Sequence, residues 1–164
     1  MYQYKPNEKI IDRAVELWKR ALLDPKYDNG DDSFQGGFAS VLASMLPNNA
    51  NGENLNKFGE YLKESLMNPR DDKDWYYTSI GVDYGPCQAL AEAAEKAGLK
   101  VQFPWKTNMH LYETHVSFSH GYNGEHINHY PLSNDKWLIT SLKGSDINKV
   151  IEYVEGGKPI FKIE

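Results

Sequence analysis

Apolar residues recur every three to four positions along the first third of the chain, which is the spacing of a helix that buries one side. The first such segment predicts a helix over residues 8–23, with Asn7 as its N-cap. Arg13, Glu16 and Arg20 fall opposite the apolar stripe, so we expect them to face solvent. The stripe itself consists of Ile11, Ala14, Val15, Trp18, Ala21 and Leu22.

Two more helices are predicted before residue 70. One covers residues 33–46, and the next begins after the candidate cap Asn51. Their apolar stripes are Phe34, Phe38, Val41, Leu42 and Met45 in the first, and Leu55, Phe58, Leu62 and Leu66 in the second. We expect the three helices to pack as one unit.

The period changes from 3.6 to 2 after the polar stretch 68–74. Residues 75–82 alternate in the manner of a half-buried strand and are rich in β-branched and aromatic side chains. A helix over residues 86–98 follows, opening at Pro86 with Cys87 as its second residue and ending at Gly98. Residues 101–103 are predicted to resume a strand, which gives a strand–helix–strand unit.

Residues 106–112 and 115–119 are predicted to pair as a hairpin about Glu113 and Thr114. This register sets Leu111 opposite Val116, and it sets Met109 opposite Phe118. The other face then collects polar and aromatic side chains, namely Asn108, His110, Tyr112, His115, Ser117 and Ser119.

Strands are also expected at 125–130, 136–142 and 159–163, with a short helix that begins after Ser145 and carries Ile147, Val150, Ile151 and Val154. The predicted fold class is α+β: an N-terminal three-helix segment, then a mostly antiparallel sheet with two further helices packed on it. We expect a single domain over residues 1–164, with a helical lobe at 1–70 and a sheet-containing part at 75–164.

Composition narrows the choice of function. The 164 residues carry a net charge of -5 with Lys and Arg scattered, which argues against nucleic acid as a partner. No apolar run is long enough for a bilayer or a secretion signal, so the chain is expected to be cytoplasmic and to have no membrane partner. One cysteine, Cys87, excludes an internal disulfide and fits a reducing compartment.

Cys87 is a candidate nucleophile, because backbone N–H groups at a helix start favour a thiolate and a histidine on a nearby strand can take its proton. A helix that opens with cysteine before histidine-bearing strands, together with Tyr84 and Gly85, resembles the active-site entry of the NlpC/P60 and CHAP-type peptidases. The resemblance implies a Cys–His hydrolase of papain-like logic with His115 as base and Asn128 as orienting group. Asn123 and His129 remain alternatives for that last role.

A structural role for the same cysteine is the competing interpretation. Cys87 shares helical spacing with Leu90, Ala91 and Ala94, and a buried cysteine behaves as a small apolar side chain. On that interpretation the sulfur packs in the core and takes no part in chemistry.

The five histidines all lie between residues 110 and 129, which suggests a metal site. The candidate ligands are His110, His115, His126 and His129, with zinc as an example of the transition metals they would suit. His126 and His129 would point to opposite faces of a regular strand. The His120 ring is predicted to be packed and hydrogen-bonded. Neither HExxH nor CxxC occurs, which weakens the case for a specific metal site, and we expect no cofactor to be required.

The favoured function is binding. A polar, aromatic and histidine-rich sheet face offers His110, Tyr112, Ser117 and Tyr130 as contact residues. Such a face suits a protein, a peptide or a small-molecule partner, and strand edges would also allow a homo-oligomer.

Overall fold

The computed structural model describes residues 7–23, 25, 41–42, 45–68, 79–121, 126–133, 135–142 and 150–156. None of the described helices is both long and apolar enough to cross a bilayer. The helices, numbered here in chain order, are α1 (Glu8–Leu23), α2 (Gly52–Met67) and α3 (Gln88–Lys96). The strands are β1 (Ser79–Val82), β2 (Thr107–Leu111), β3 (Val116–His120), β4 (His126–Pro131), β5 (Lys136–Leu142) and β6 (Val150–Gly156). The α+β class predicted from the sequence is confirmed.

Helix α1 has the predicted bounds, and Asn7 caps it: the Asn7 side chain accepts a hydrogen bond of 2.9 Å from the Ile10 amide. The prediction that Arg13 faces solvent is wrong, because this residue is only 3 % exposed. A guanidinium can be buried where its N–H groups find an acceptor and its plane finds a ring, and both are present on the sheet beneath α1.

Asn51 is the N-cap of α2, as predicted. Asn51 and Asn54 form a reciprocal capping box, in which each side chain accepts a hydrogen bond from the other residue's amide, at 2.9 and 2.8 Å. In the preceding loop, the Asn49 side chain accepts a hydrogen bond from the Lys100 amide and donates one to the Gly98 carbonyl oxygen, just after α3. The helix predicted over residues 33–46 lies mostly outside the described residues.

The six strands form one sheet in the order β1-β2-β3-β4-β5-β6, and every pairing is antiparallel. The hairpin register predicted from the sequence is confirmed, with Leu111 opposite Val116 and Met109 opposite Phe118. The Tyr112 amide donates to the His115 carbonyl oxygen across the turn at 2.9 Å. Strand β5 matches its predicted bounds, and β4 ends one residue later than predicted.

Three local predictions are wrong. Residues 101–104 form no strand, and β1 pairs antiparallel with β2, so there is no strand–helix–strand crossover. Cys87 is the N-cap of α3 rather than its second helical residue, because its extended backbone (ψ 165°) lies outside the helix. Residues 150–156 form β6 rather than a helix. The predicted strands at 75–78 and 159–163 lie outside the described residues.

Gly98 ends α3 as predicted, with a positive φ of 67°. The amides of Gly98 and Leu99 donate to the carbonyl oxygens of Glu95 and Ala94, which is a Schellman termination that needs a left-handed residue. After this turn, the Phe103 ring packs against Trp18 of α1 and Phe58 of α2, with ring centroids 6.5 and 6.4 Å apart.

The buried core lies between the helices and one face of the sheet, here called the inner face. Side chains along β2 are alternately buried and exposed. The buried ones lie on the inner face, and the exposed ones lie on the other side of the sheet, here called the outer face. Helix α1 packs on β2 and β3, and α2 packs on α1 and α3. Central core side chains, each at most 1 % exposed, are Trp18, Phe58, Ile80, Met109 and Ile139.

Candidate functional site: the outer face of the sheet

A line of polar side chains crosses the outer face at right angles to the strands. It follows from the register, which sets Ser79 opposite His110, His110 opposite Ser117, Ser117 opposite Asn128 and Asn128 opposite Thr140. We call these residues the polar row: Ser79, His110, Ser117, Asn128 and Thr140. With strands about 4.8 Å apart, the row runs about 19 Å from β1 to β5.

A second line of side chains, the aromatic row, lies beside the polar row and consists of Tyr112, His115 and Tyr130. The His115 ring lies between two tyrosine rings, with its centroid 4.6 Å from Tyr112 and 4.7 Å from Tyr130. The interplanar angles of 20° and 28° make both contacts stacked. The His110 ring, in the neighbouring row, is 6.4 Å from Tyr112 and joins the two rows.

His115 is favoured in its neutral form at this position. Burial between the rings lowers the pKa of His115 below the ordinary histidine value, because an imidazolium would lose hydration there. Its Nδ1 atom is 2.8 Å from the Thr114 hydroxyl, which donates or accepts according to the tautomer. A neutral imidazole has one donor and one acceptor, so it can bind neutral polar groups.

The stack covers the faces of the His115 ring and one face of each tyrosine ring. Tyr112 is 46 % exposed, while His115 and Tyr130 are half-buried. The tyrosine hydroxyl groups and the imidazole nitrogens lie on the ring edges. The row therefore offers hydrogen-bonding groups along its length.

The residues of the Cys–His hypothesis are not brought together. The Cys87 amide donates to the Gly81 carbonyl oxygen, and Gly81 is paired with Asn108. His115 lies beyond the other end of β2, at least roughly 10 Å further along the strand direction. Cys87 also packs against the core, whereas His115 and Asn128 lie on the outer face.

The candidate metal ligands are divided between the two faces. His110, His115 and His126 share the outer face, whereas His129 is 4 % exposed on the inner face. His126 and His129 therefore point to opposite sides, as their spacing predicts. Within the described ranges, no three His, Cys, Asp or Glu side chains are grouped closely enough to hold a metal ion.

The residues proposed for binding all lie on the outer face: His110 and Ser117 in the polar row, and Tyr112 and Tyr130 in the aromatic row. Asn128 and Thr140 were not predicted as contacts. Alternate residues of a strand lie on the same face, so the pairing of β4 with β5 would have placed Asn128 and Thr140 on the outer face once the register was known.

A second cluster of side chains, which was not predicted from the sequence, lies at the other end of β1 and β2. Lys106 forms an ion pair with Asp83, and its Nζ atom lies 4.5 Å above the centre of the Tyr84 ring. Tyr84 in turn meets Trp105 edge to face at 5.8 Å. An open cleft of about 610 Å³ adjoins this turn, and its apolar lining includes Pro86, Ala91, Leu99, Val101 and Phe103.

Comparison with known proteins gives the chain no family. No protein-family model matches it, and neither the curated proteins nor the solved structures contain a significant match. We therefore infer the function from the geometry of the outer face.

Proposed function

We propose that the protein is a binding module whose ligand lies across the strands on the outer face, along the aromatic and polar rows. The observation that carries the proposal is the stacking of His115 between Tyr112 and Tyr130 on an exposed sheet surface. Aromatic side chains that stay partly exposed are the usual anchors of protein contacts.

The partner that fits this surface best is an extended peptide segment of another protein. Serine, threonine, asparagine and neutral histidine each donate and accept hydrogen bonds, as the N–H and C=O groups of a peptide require. None of the side chains in the two rows carries a fixed charge, and the register continues the polar row to Glu152 on β6. A row of about 19 Å would span roughly six residues of extended chain.

A peptide library displayed on phage tests this proposal. Peptides selected on the parent protein are measured for Kd against Tyr112→Ala and against Tyr61→Ala. Tyr61 is the matched control, since it is an exposed tyrosine on α2 (37 % exposed), away from the sheet.

We expect Tyr112→Ala to weaken the selected peptides at least about tenfold and Tyr61→Ala to leave Kd within about twofold. Selection of no peptide would contradict the proposal. So would peptides whose affinity falls equally in both variants, or in neither.

A further inference from the structure

The two tyrosines of the aromatic row are separated by two strand spacings. Tyr112 directly follows β2 and Tyr130 belongs to β4, and neighbouring strands lie about 4.8 Å apart. The stacked rings agree with this spacing, since the His115 centroid lies 4.6 Å from that of Tyr112 and 4.7 Å from that of Tyr130. The tyrosine rings therefore repeat at about 9 Å across the strands.

This repeat matches one extended conformation of a peptide and not the other. A polyproline II helix has three residues per turn and rises about 3.1 Å per residue, so residues i and i+3 share a side about 9.3 Å apart. In a β-strand, residues i and i+2 share a side about 6.8 Å apart. A polyproline II segment laid along the aromatic row can therefore place one residue against each tyrosine, whereas a β-strand falls out of register.

The hydrogen-bonding groups of the outer face suit the same conformation. A polyproline II helix has no internal hydrogen bonds, so its carbonyl oxygens need donors from outside, and proline itself has no N–H group to satisfy. The hydroxyl groups of Tyr112 and Tyr130 can donate, and a neutral His115 ring keeps one N–H group. Ser117 and Asn128 of the polar row provide further donors beside them.

Two charged side chains of opposite sign flank the aromatic row. Glu113 lies in the turn next to Tyr112, and Lys136 lies on the outer face of β5, the strand that pairs with β4. Both are exposed, and neither forms an ion pair within the part of the chain that the structure describes. The other carboxylate residue, Glu152, is placed by the register at the β6 end of the polar row. A ligand along the aromatic row is therefore complemented by a basic residue at the Glu113 end and an acidic one at the Lys136 end.

We propose that the ligand of the outer face is a proline-rich segment in the polyproline II conformation, with residues i and i+3 against Tyr112 and Tyr130 and a basic residue beside Glu113. This inference rests on the proposed function, because it names the kind of peptide that the outer face binds. Proline favours such binding since its φ is already fixed near the polyproline II value, so less conformational entropy is lost when the segment binds.

Two capped peptides of equal length test the inference, with Kd measured by fluorescence anisotropy. Each carries one arginine at its end and about six further residues, which are all proline in one peptide and alternate between valine and threonine in the other. We expect the parent protein to bind the proline peptide at least about tenfold more tightly. Tyr112→Ala should abolish this preference, and Tyr61→Ala, the exposed tyrosine on α2, should keep it.

Substitutions in the peptide and in the protein test the spacing and the charge. Single alanine substitutions along the proline peptide should weaken binding most at every third residue, which is the repeat of polyproline II. Glu113→Gln should weaken the proline peptide about twofold to fivefold, the size expected of an exposed ion pair. The control is Glu60→Gln, since Glu60 is an exposed carboxylate on α2, and its Kd should equal that of the parent.

Failure of this inference can be told apart from failure of the proposed function. A proline peptide that binds no more tightly than the valine–threonine peptide would overturn the inference. So would losses at every second residue, or equal effects of Glu113→Gln and Glu60→Gln. The proposed function stands in each of these cases if the peptides selected from the phage library still lose affinity in Tyr112→Ala. If no peptide of either kind depends on Tyr112, both proposals fail.

Discussion

The His115 ring, just before β3, stacks on the Tyr130 ring of β4, with the ring centroids 4.7 Å apart. The contact continues the β3–β4 register, in which the following residue Val116 is paired with His129. Strand pairing thus builds the aromatic row on one face while it seats Val116 and His129 in the interior.

Removing the Tyr130 ring should destabilise the sheet. Tyr130→Ala is expected to lower the free energy of unfolding by at least about 1 kcal/mol, because a stacked aromatic pair contributes beyond its buried area. Tyr130→Phe keeps the ring and serves as the control, with a loss below about 0.5 kcal/mol. Urea denaturation measures both, and equal losses in the two variants would argue against a stabilising stack.

The titration of His115 should respond to its tyrosine neighbours. Because burial lowers the pKa of His115, the midpoint of its ring proton shifts in NMR is expected below about 6.5. The folded state then binds the proton less readily than the unfolded chain. His115 therefore contributes stability above about pH 6.5 that is lost as the pH falls through its folded midpoint.

Tyr112→Ala is the matched variant for that titration. Opening one side of the stack restores hydration to the ring, so the midpoint of His115 should move up towards about 6.5. A midpoint that does not move, or one already at the ordinary value in the parent, would show that the tyrosines do not desolvate the ring.

Asn49 is expected to contribute more to the free energy of unfolding than its exposed position suggests. Its side chain accepts from the Lys100 amide at 2.6 Å and donates to the Gly98 carbonyl oxygen at 3.0 Å, which ties the loop before α2 to the end of α3. Asn49→Ala should cost about 1–2 kcal/mol in the free energy of unfolding. The control is Asn48→Ala, since Asn48 accepts only from the nearby Ala50 amide among the hydrogen bonds described. Equal thermal shifts in the two variants would contradict this role.

Cys87 is expected to matter for packing and not for binding. It is half-buried against the core, with its amide on the Gly81 carbonyl oxygen. Cys87→Ser should therefore bind selected peptides with the Kd of the parent. The alternative of a Cys–His hydrolase predicts instead a catalytic turnover that this variant abolishes, and a peptide-cleavage assay with both proteins distinguishes the two outcomes.

Much of the fold could be predicted where one local signal dominated. The alternation along Thr107–Leu111 fixes which side chains share a face, and one residue of slip would have put Met109 and Leu111 in solvent. The same parity predicted most of the outer face. It could not show that His115 stacks on Tyr130, since that contact depends on the pairing of β3 with β4.

The errors arose where tertiary contacts outweighed local pattern. Val150, Ile151 and Val154 fit a helical stripe, yet pairing with β5 makes the segment a strand, the state that β-branched residues prefer. Arg13 was assigned to solvent by its charge, but His129 and Trp137, more than a hundred residues away, provide its acceptor and its ring. A single sequence gives no direct sign of such a pairing.

The most direct test of binding at the outer face is amide NMR of the labelled protein titrated with a peptide selected from the phage library. We expect the largest changes in amide chemical shift along the two rows, at His110, Tyr112, His115, Ser117, Asn128 and Tyr130, and no large change in α2. Changes centred instead on the cleft beside Pro86 and Val101, or on the helices, would contradict it.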